Sequence, residues 1–191
     1  MSEPPSIHSV SLEEKQRALS AMFLAFSGDP FFRWFIPEPA KYVQGGIALM
    51  DAFGGKAFEN GTAFAPSNYE GASFWLPPKI RADQVIMDRV PNSIKEELFA
   101  VFGEMASYRP GGDCWYLPLI GVDPAYQGQG IGSMMLKHAL STIDGKGLPA
   151  FLESSNQANI SLYERRGFEV VGRIQAGSSP AIHPMHRASA S

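Results

Sequence analysis

The chain has 191 residues, of which 45% are hydrophobic and 18% charged, values typical of one globular domain with a sizeable core. The net charge of −3 and the lack of any lysine or arginine run argue against nucleic acid as a partner, because phosphate binding relies on clustered basic side chains. The single cysteine, Cys114, excludes an internal disulfide framework and a cysteine-rich metal site. Histidines and carboxylates show no metal-ligand spacing either, so we expect no metal.

Membrane and export signals are also missing from the sequence. No stretch approaches the roughly 18 apolar residues of a membrane span, and residues 1–5 begin no apolar signal-peptide core. We therefore expect a cytoplasmic protein without a membrane partner.

The first half of the sequence predicts three helices and two strands. Ser11 and Glu14 form a capping-box pattern, and apolar residues at helical spacing continue to Phe26, so a first helix begins here and ends before Gly28. The aromatic segment 31–36 (FFRWFI) is either core or a wall of an acceptor pocket. The remaining elements of this half are helices over about 40–53 and 92–107 and strands over 62–66 and 71–76.

The second half alternates strands and helices. A buried strand is predicted over 114–122, in which Pro118 removes a ladder donor and indicates a bulge or a local parting of strands. A glycine-rich turn follows and opens a helix that runs to about Ile143. Later elements are strands over 149–153, 168–174 and 181–187 and a helix over 158–166. This alternation implies a mixed sheet with helices packed on it.

The glycine-rich turn from Gln127 to Gly132 is the strongest binding motif. Glycines let backbone amides approach a ligand closely, and the first amides of a helix lack intrahelical partners and lie at the positive end of its dipole. Together these features favour an anion site suited to a pyrophosphate, with the Gln127 side-chain amide as a further donor. The alternative is a tight turn that needs glycine only for packing.

Two other phosphate motifs compete with this interpretation. A P-loop ends in Gly-Lys-Ser/Thr, and the turn contains no lysine. The dinucleotide fingerprint G-x-G-x-x-G is nearly matched by Gly128, Gly130 and Ser133, with Glu153 at a suitable distance. The first glycine of that fingerprint normally sits at the end of the strand, whereas residues 123–126 intervene here.

Two segments carry a family resemblance. Gly121-Val-Asp-Pro124 followed by Gln127-x-x-Gly130-x-Gly132 resembles the acetyl-CoA signature of the GNAT superfamily of N-acetyltransferases. Residues 162–168 (LYERRGF) resemble the second signature of that superfamily. More narrowly, residues 148–155 together with Asn159 and residues 163–168 are similar to puromycin N-acetyltransferase-like proteins.

The resemblance implies a fold and assigns the acceptor site and the acetyl-CoA site to different halves of the chain. The fold is a single α/β (α+β) domain over residues 1–191, with a GNAT-like mixed, mostly antiparallel twisted sheet flanked by helices. Residues of about 1–112 would shape the acceptor site, and residues of about 113–187 would bind acetyl-CoA as co-substrate. Homodimers are common in such enzymes, and the resemblance leaves a homodimer open.

Cofactor contacts are also implied by the resemblance. The strand through Ile120, Gly121 and Val122 would offer backbone groups to the pantetheine arm. Asn159, or alternatively Asn156, would contact the cofactor near its thiol end. The residues expected to hold the pyrophosphate are Gln127, Gly128, Gln129, Gly130, Ile131, Gly132 and Ser133.

The transfer chemistry needs a neutral amine, a stabilised oxyanion and a protonated leaving thiolate. Glu153 ends a short apolar strand and is either exposed at the sheet rim or directed into the cleft as base or acceptor anchor. A backbone N–H of Val122 or a neighbour is the candidate oxyanion donor. The Tyr163 phenol, which the resemblance places beside the sulfur, is the candidate acid, with a core tyrosine as the alternative. Asp113 and Glu70 are further candidates for the base.

Three aromatic residues are candidates for the acceptor pocket, with core packing as the alternative for each: Trp34, Trp75 and Tyr116. His183 and His186 either line this pocket or are structural. The sequence thus predicts an N-acetyltransferase that acts on a small-molecule amine in a ternary complex. The competing hypotheses are a non-catalytic acyl-CoA-binding regulatory module and an NAD-dependent oxidoreductase.

Overall fold

The computed structural model describes residues 6–83 and 89–189. These residues form a seven-stranded sheet with helices on both faces. The strands are β1 (Ile7–Ser9), β2 (Ala63–Pro66), β3 (Gly71–Leu76), β4 (Trp115–Val122), β5 (Ala150–Ser154), β6 (Glu169–Val170) and β7 (His183–Arg187). The α-helices are α1 (Lys15–Ala25), α2 (Pro30–Phe35), α3 (Pro39–Gly54), α4 (Lys56–Glu59), α5 (Lys95–Tyr108), α6 (Ile131–Ile143) and α7 (Ile160–Glu164).

The strand order is β1-β2-β3-β4-β5-β7-β6, and only the β4–β5 pair is parallel among the described strands. This arrangement confirms the predicted mixed, mostly antiparallel sheet. Helix α6 connects the two parallel strands, as a parallel crossover requires.

Local sequence signals explain where several elements begin. The Ser11 amide donates to a Glu14 carboxylate oxygen, and the Glu14 amide donates to the Ser11 hydroxyl, so the predicted capping box forms ahead of α1. Asp29 caps α2 by accepting hydrogen bonds from the amides of Phe31 and Phe32, and Pro30 occupies the first helical position. Helices α2 and α4 and strand β1 have no counterpart in the sequence prediction.

A β-bulge at Leu117–Pro118 changes the faces that β4 presents. Phe74 pairs with Leu119 and Leu76 with Tyr116, so β4 carries one extra residue opposite Trp75. The bulge predicted from Pro118 is therefore present. An extra residue exchanges the two faces of a strand, and accordingly Leu117 and Leu119 pack in different clusters.

The core lies on both faces of the sheet. One face packs against α1, α2, α3 and α5, with Phe74 and Leu76 directed into it. The opposite face packs against α6 and α7, and Trp75 lies fully buried there. None of the described helices has the length and apolar character needed to cross a membrane.

Candidate active site

Strands β4 and β5 pair only over their first residues and then separate. The parallel register ends at Leu117 opposite Leu152, although β4 continues to Val122 and β5 to Ser154. Pairing stops at Pro118, which has no backbone N–H to donate. The structure therefore contains the parting of strands that the sequence predicted at this proline.

The separation leaves one edge of β4 available. The amide of Asp123 donates to the carbonyl of Glu70, which fixes the direction of the backbone groups at that pair. Because N–H and C=O groups alternate along a strand, the backbone groups of Ile120 and Val122 point away from β3, toward the gap left by β5. This edge has the geometry to pair with an extended amide-containing chain.

The glycine-rich turn lies at the end of the same strand. Gly128 and Gly130 have φ values of +78° and +80°, a left-handed conformation that favours glycine, and Gly130 is the N-terminal cap of α6. A Cβ atom at either position would meet open space. The turn therefore exposes its backbone and the first amides of α6 to a ligand.

Side-chain contacts fix the turn to its surroundings. The Gln127 side-chain amide donates to the Val122 carbonyl at 3.0 Å, so it bonds to the strand, whereas we predicted a phosphate donor. The Ser133 hydroxyl accepts a hydrogen bond from Nη2 of Arg166 at 2.8 Å. Arg165 lines the groove beside the turn. Arg165 and Arg166 therefore bring positive charge to the site, whereas the sequence predicted only backbone amides and Gln127 as phosphate donors.

A groove of about 580 Å³ runs along this turn and the free edge of β4. Its lining includes all predicted cofactor-binding residues except Gln129, which is exposed on the turn and lies outside the lining. The predicted residues that do line it are Ile120, Gly121, Val122, Gln127, Gly128, Gly130, Ile131, Gly132, Ser133, Asn156 and Asn159. Asn156 also has a structural role, since its Oδ1 accepts a hydrogen bond from the Ala158 amide.

The groove continues into a small central cavity of about 60 Å³ between the separated strands. The groove and the cavity share Asp29, Asn159 and Tyr163 in their linings. Glu153 also lines the central cavity. The two predicted catalytic side chains therefore face the same small space.

Glu153 is buried there, with 3% of its side chain exposed. Burial raises the pKa of its carboxyl to about 7, although the nearby Arg109 charge and the Tyr116 hydroxyl act in the opposite direction. Nε of Arg109 lies 3.9 Å from Oε1 of Glu153, and neither atom has a hydrogen-bond partner among the described residues. A carboxyl group that ionises near neutral pH is suited to accept a proton from an amine.

Tyr163 is also buried, and burial together with the nearby Asp29 charge raises the pKa of its phenol above the ordinary value. Its phenol therefore remains protonated at neutral pH and can serve as a proton donor. Asp29 accepts a short hydrogen bond of 2.5 Å from the Ser155 hydroxyl. Burial raises the pKa of the Asp29 carboxyl, while its hydrogen bonds from Ser155 and the α2 amides lower it.

A third cavity, of about 490 Å³, opens on the other side of the central one. The two share Phe53, Met105 and Tyr116. Tyr116 thus lies between the central and the outer cavity, and its contact with an acceptor stays a prediction. Groove, central cavity and outer cavity adjoin one another in series through the gap between β4 and β5.

The other two aromatic candidates lie elsewhere. Trp75 is fully buried in the core beneath α6, on the opposite face from the outer cavity, so its assignment to the acceptor pocket is wrong. Trp34 stacks on Phe31 and donates from Nε1 to the Ser178 hydroxyl at 3.1 Å, and it lies outside the cavity linings. Of the segment 31–36, Phe31 and Phe32 are both core and cavity wall.

The weaker candidates for the base also lie outside these cavities. Asp113 is 3.6 Å from the Lys79 ammonium group, and Glu70 accepts a hydrogen bond from the Asn68 side chain. His183 and His186 pair with β5 along β7 and line none of the three cavities. Within residues 6–83 and 89–189, histidine, cysteine and carboxylate side chains form no group of three or more that could hold a metal ion.

Asp29 and Arg109 are site residues that were not predicted from the sequence. Asp29 precedes Pro30, and an Asp-Pro pair is a recognisable helix start, but this signal does not reveal that α2 begins beside Tyr163. Arg109 follows α5 and reaches Glu153 from a distant part of the sequence. Only the tertiary fold brings Asp29 beside Tyr163 and Arg109 beside Glu153.

Comparison with known proteins identifies a shared segment and a shared fold. Residues 97–168 match the Acetyltransferase (GNAT) family, a segment shorter than half of the chain. Over 55 residues the chain is 44% identical to a mycothiol acetyltransferase of Mycobacteroides abscessus, covering 27% of this chain and 19% of that protein. The chain spans less than half the length of the curated relatives it matches.

Solved structures extend the similarity to the whole fold. A structure of histone acetyltransferase HPA2 and related acetyltransferase from Corynebacterium glutamicum superposes with a TM-score of 0.69 and 21% identity, over 99% of this chain and 98% of that one. Arylalkylamine N-acetyltransferase 2 from Aedes aegypti superposes with a TM-score of 0.68 and 8% identity, over 98% and 100% of the two chains. The protein thus has the single-domain mixed α/β fold of these acetyltransferases.

Proposed function

We propose that this protein transfers an acetyl group from acetyl-CoA to the amine of a small molecule, by direct attack in a ternary complex. The observation that supports this most is the serial arrangement of groove, central cavity and outer cavity through the gap between β4 and β5. It allows two substrates to enter from opposite sides and meet between Glu153 and Tyr163.

The groove fits acetyl-CoA, which supplies the activated acetyl group as a thioester. The left-handed turn at Gly128 and Gly130 exposes backbone amides to a pyrophosphate. The outward-facing backbone groups of Ile120 and the N–H of Val122, whose carbonyl already accepts from Gln127, would pair with the amides of the pantetheine arm. One of their N–H groups would then donate to the carbonyl oxygen on which charge develops.

Glu153 and Tyr163 would move the protons. With a pKa of about 7, a substantial fraction of Glu153 is ionised at neutral pH and accepts a proton from the attacking amine. The raised pKa of Tyr163 keeps its phenol protonated, so it donates to the departing sulfur. Asp29 would position α2 and influence the electrostatics around the phenol.

Cavity size supports a small acceptor. The central cavity of about 60 Å³ admits little beyond the reacting amine, and the outer cavity of about 490 Å³ suits a compact molecule. A narrower relation to puromycin N-acetyltransferase-like proteins remains a prediction from residues 148–155. Cytoplasmic location and a homodimer also remain predictions, to be tested by cell fractionation and light scattering.

The first experiment is thermal unfolding of the purified protein with acetyl-CoA or NADH. A ligand that binds only the native state raises the melting temperature, and we expect a rise with acetyl-CoA alone. The Gly130→Glu variant should lose this rise, because its side chain enters the groove at the turn. Gly147→Glu is the matched control: Gly147 also has a left-handed φ, +62°, but lies outside the groove.

The next measurement is release of free CoA on addition of amines. Acetyl-CoA binding followed by amine-dependent thiol release supports the proposal. Binding without turnover across an amine panel would instead indicate a non-catalytic acyl-CoA-binding module. A rise in melting temperature with NADH and none with acetyl-CoA would refute the proposal and favour an oxidoreductase.

A further inference from the structure

The outer cavity has an apolar wall that suits a large apolar group. Phe53 and Met105 lie where it joins the central cavity, and Phe99 and Phe102 extend the wall along α5. Phe99 is 59% exposed although it is a large aromatic side chain. An exposed aromatic at the mouth of an apolar cavity is typical of a ligand-binding surface.

The same cavity carries positive charge. Arg81 and Arg109 both line it. The third charged lining residue, Asp83, forms a 2.8 Å ion pair with Lys56. Among the described residues Arg81 has no carboxylate partner, and Arg109 has the 3.9 Å contact with Glu153, which is too long for a hydrogen bond, so both guanidinium groups retain donors for an anion.

Arg109 is held in place for such a contact. Its guanidinium carbon lies 4.1 Å from the centre of the Tyr116 ring, a cation–π arrangement. Its Nε atom is buried without a hydrogen-bond partner among the described residues. A buried donor without a partner is costly, and a bound carboxylate would provide one.

The distance between the base and this cation limits the ligand further. Nε of Arg109 and Oε1 of Glu153 are 3.9 Å apart. In an α-amino acid the amine and the carboxylate are separated by two bonds of about 1.5 Å each. An amine directed at Glu153 therefore brings an α-carboxylate next to Arg109.

We propose that the acceptor is an α-amino acid with a large apolar side chain. Its carboxylate bonds to Arg109, its side chain lies against Phe99 and Phe102, and its amine faces Glu153. The inference rests on the proposed acetyl transfer and names its substrate class. An amine of similar size without a carboxylate would leave Arg109 without a hydrogen-bonded partner and would bring a net positive charge next to two arginines.

The reaction is balanced with these groups. The amine nitrogen forms a bond to the thioester carbonyl carbon, and the carbon–sulfur bond breaks. Glu153 takes a proton from the nitrogen, and the sulfur takes a proton from Tyr163. The products are an N-acetyl amino acid and CoA, and proton transfer through solvent returns both side chains to their starting states.

The test compares two matched pairs in the CoA-release assay: L-phenylalanine with phenethylamine, and L-tryptophan with tryptamine. Members of a pair differ only in the carboxylate. We expect kcat/KM to be about 10- to 100-fold higher for the amino acids, the range expected for a charge-assisted hydrogen bond. Arg109→Gln should remove this preference: the ratio of kcat/KM for an amino acid to that for its matched amine should fall to about 1.

Because Arg109 also lowers the pKa of Glu153, the readout is the ratio of amino acid to amine within each protein, in which a change in the ionisation of Glu153 affects both substrates alike. Arg33→Gln is the matched control. Arg33 also stacks on a tyrosine, with its guanidinium carbon 4.6 Å from the Tyr42 ring centre, but it lines neither the central nor the outer cavity. It should retain the wild-type preference.

Binding provides an independent readout. In the presence of CoA, L-phenylalanine should raise the melting temperature of the wild-type protein and phenethylamine should not. Equal or higher activity with the amines would overturn the amino-acid assignment and leave the proposed acetyl transfer intact. Binding of acetyl-CoA with no response to either amino acid would also overturn it, and failure to bind acetyl-CoA would overturn both proposals.

Discussion

Replacing Glu153 by glutamine should stabilise the protein at alkaline pH while abolishing most of its activity. The carboxyl has an ordinary pKa of 4.5, which burial raises to about 7 in the folded protein. Between these values the folded chain holds a proton that the unfolded chain has released, so the free energy of unfolding falls as pH rises. At about 1.4 kcal/mol per pH unit, ionised Glu153 costs the native state about 3 kcal/mol above pH 7.

Glutamine keeps the shape of the side chain and cannot ionise. Urea unfolding at pH 5 and pH 8.5 should therefore show Glu153→Gln gaining about 2–3 kcal/mol relative to the wild type between the two conditions. The quantity compared is the difference in free energy of unfolding between the variant and the wild type at each pH, because the contributions of all other titrating groups cancel in that difference. A stability difference that is the same at both pH values would show that Glu153 is not buried as described.

The same substitution tests the role of the carboxylate. In the wild type, kcat/KM calculated on the concentration of neutral amine should increase with pH and level off above an apparent pKa of about 7. Glu153→Gln should lose this ascending limb together with about 100-fold or more of the rate. An unchanged pH profile would mean that another group accepts the proton.

Contacts at the site lead to three further predictions. Tyr163→Phe should lower kcat by about 100-fold or more in the CoA-release assay, because the proton donor to sulfur is lost, while the acetyl-CoA-induced rise in melting temperature remains. Asp29→Ala should cost about 1–2 kcal/mol in urea unfolding because α2 loses its cap, whereas Asp29→Asn should cost much less since asparagine also caps helices. Gly121→Ala should cost about 1–3 kcal/mol in the same assay, because its Cβ would lie 2.5 Å from Cβ of Ala25 in α1.

Each of these predictions has an internal control. Tyr126→Phe changes an exposed tyrosine of the same groove and should leave kcat unchanged. Equal losses for Asp29→Ala and Asp29→Asn would mean that charge matters more than capping. For Gly121→Ala, a second change, Ala25→Gly, should recover part of the stability; no recovery would place the clash elsewhere.

Elements with a strong local signal were predictable from the sequence. The capping box at Ser11 and Glu14 indicated the start of α1, and the apolar run that begins at Gly71 predicted β3 with its observed bounds. The unusual Pro118 in a buried strand indicated a bulge or a parting of strands, and the structure has both. In each case the signal lies within a few residues of its structural effect.

Elements that depend on distant contacts were not predictable in this way. Helix α2 has six residues, too few for a periodic pattern, and its aromatic side chains suit either a loop or a helix. The strand predicted over 168–174 is reduced to Glu169–Val170. Pairing is interrupted at Gly172, which lies so close to the Tyr108 ring of α5 that a Cβ atom would come within 2.4 Å of it, and an isolated bridge then joins Ile174 to Ile182.

The site shows the same division. The turn from Gln127 to Gly132 was predicted to bind a pyrophosphate because its motif is continuous in the sequence, and all of its residues except Gln129 line the groove. Trp75 was misassigned because alternation along β3 does not reveal which face of the sheet carries the acceptor cavity. The pairing of Arg109 with Glu153 depends on how α5 crosses the sheet, which no local pattern encodes.

The separation of β4 from β5 explains why the proposed base lies where it does. Leu152 is the last β5 residue paired with β4, and Glu153 is the next residue along the strand. On its other side β5 remains paired with β7, where Glu153 lies opposite Pro184. Strand β7 therefore holds the backbone of Glu153 at the point where β4 separates from β5. The buried carboxylate faces the gap between β4 and β5 from a strand, so no mobile loop is needed to place it. Because catalytic geometry is more accurate on a rigid strand than on a loop, the parting at Pro118 both opens the cavity and fixes the group that would act in it.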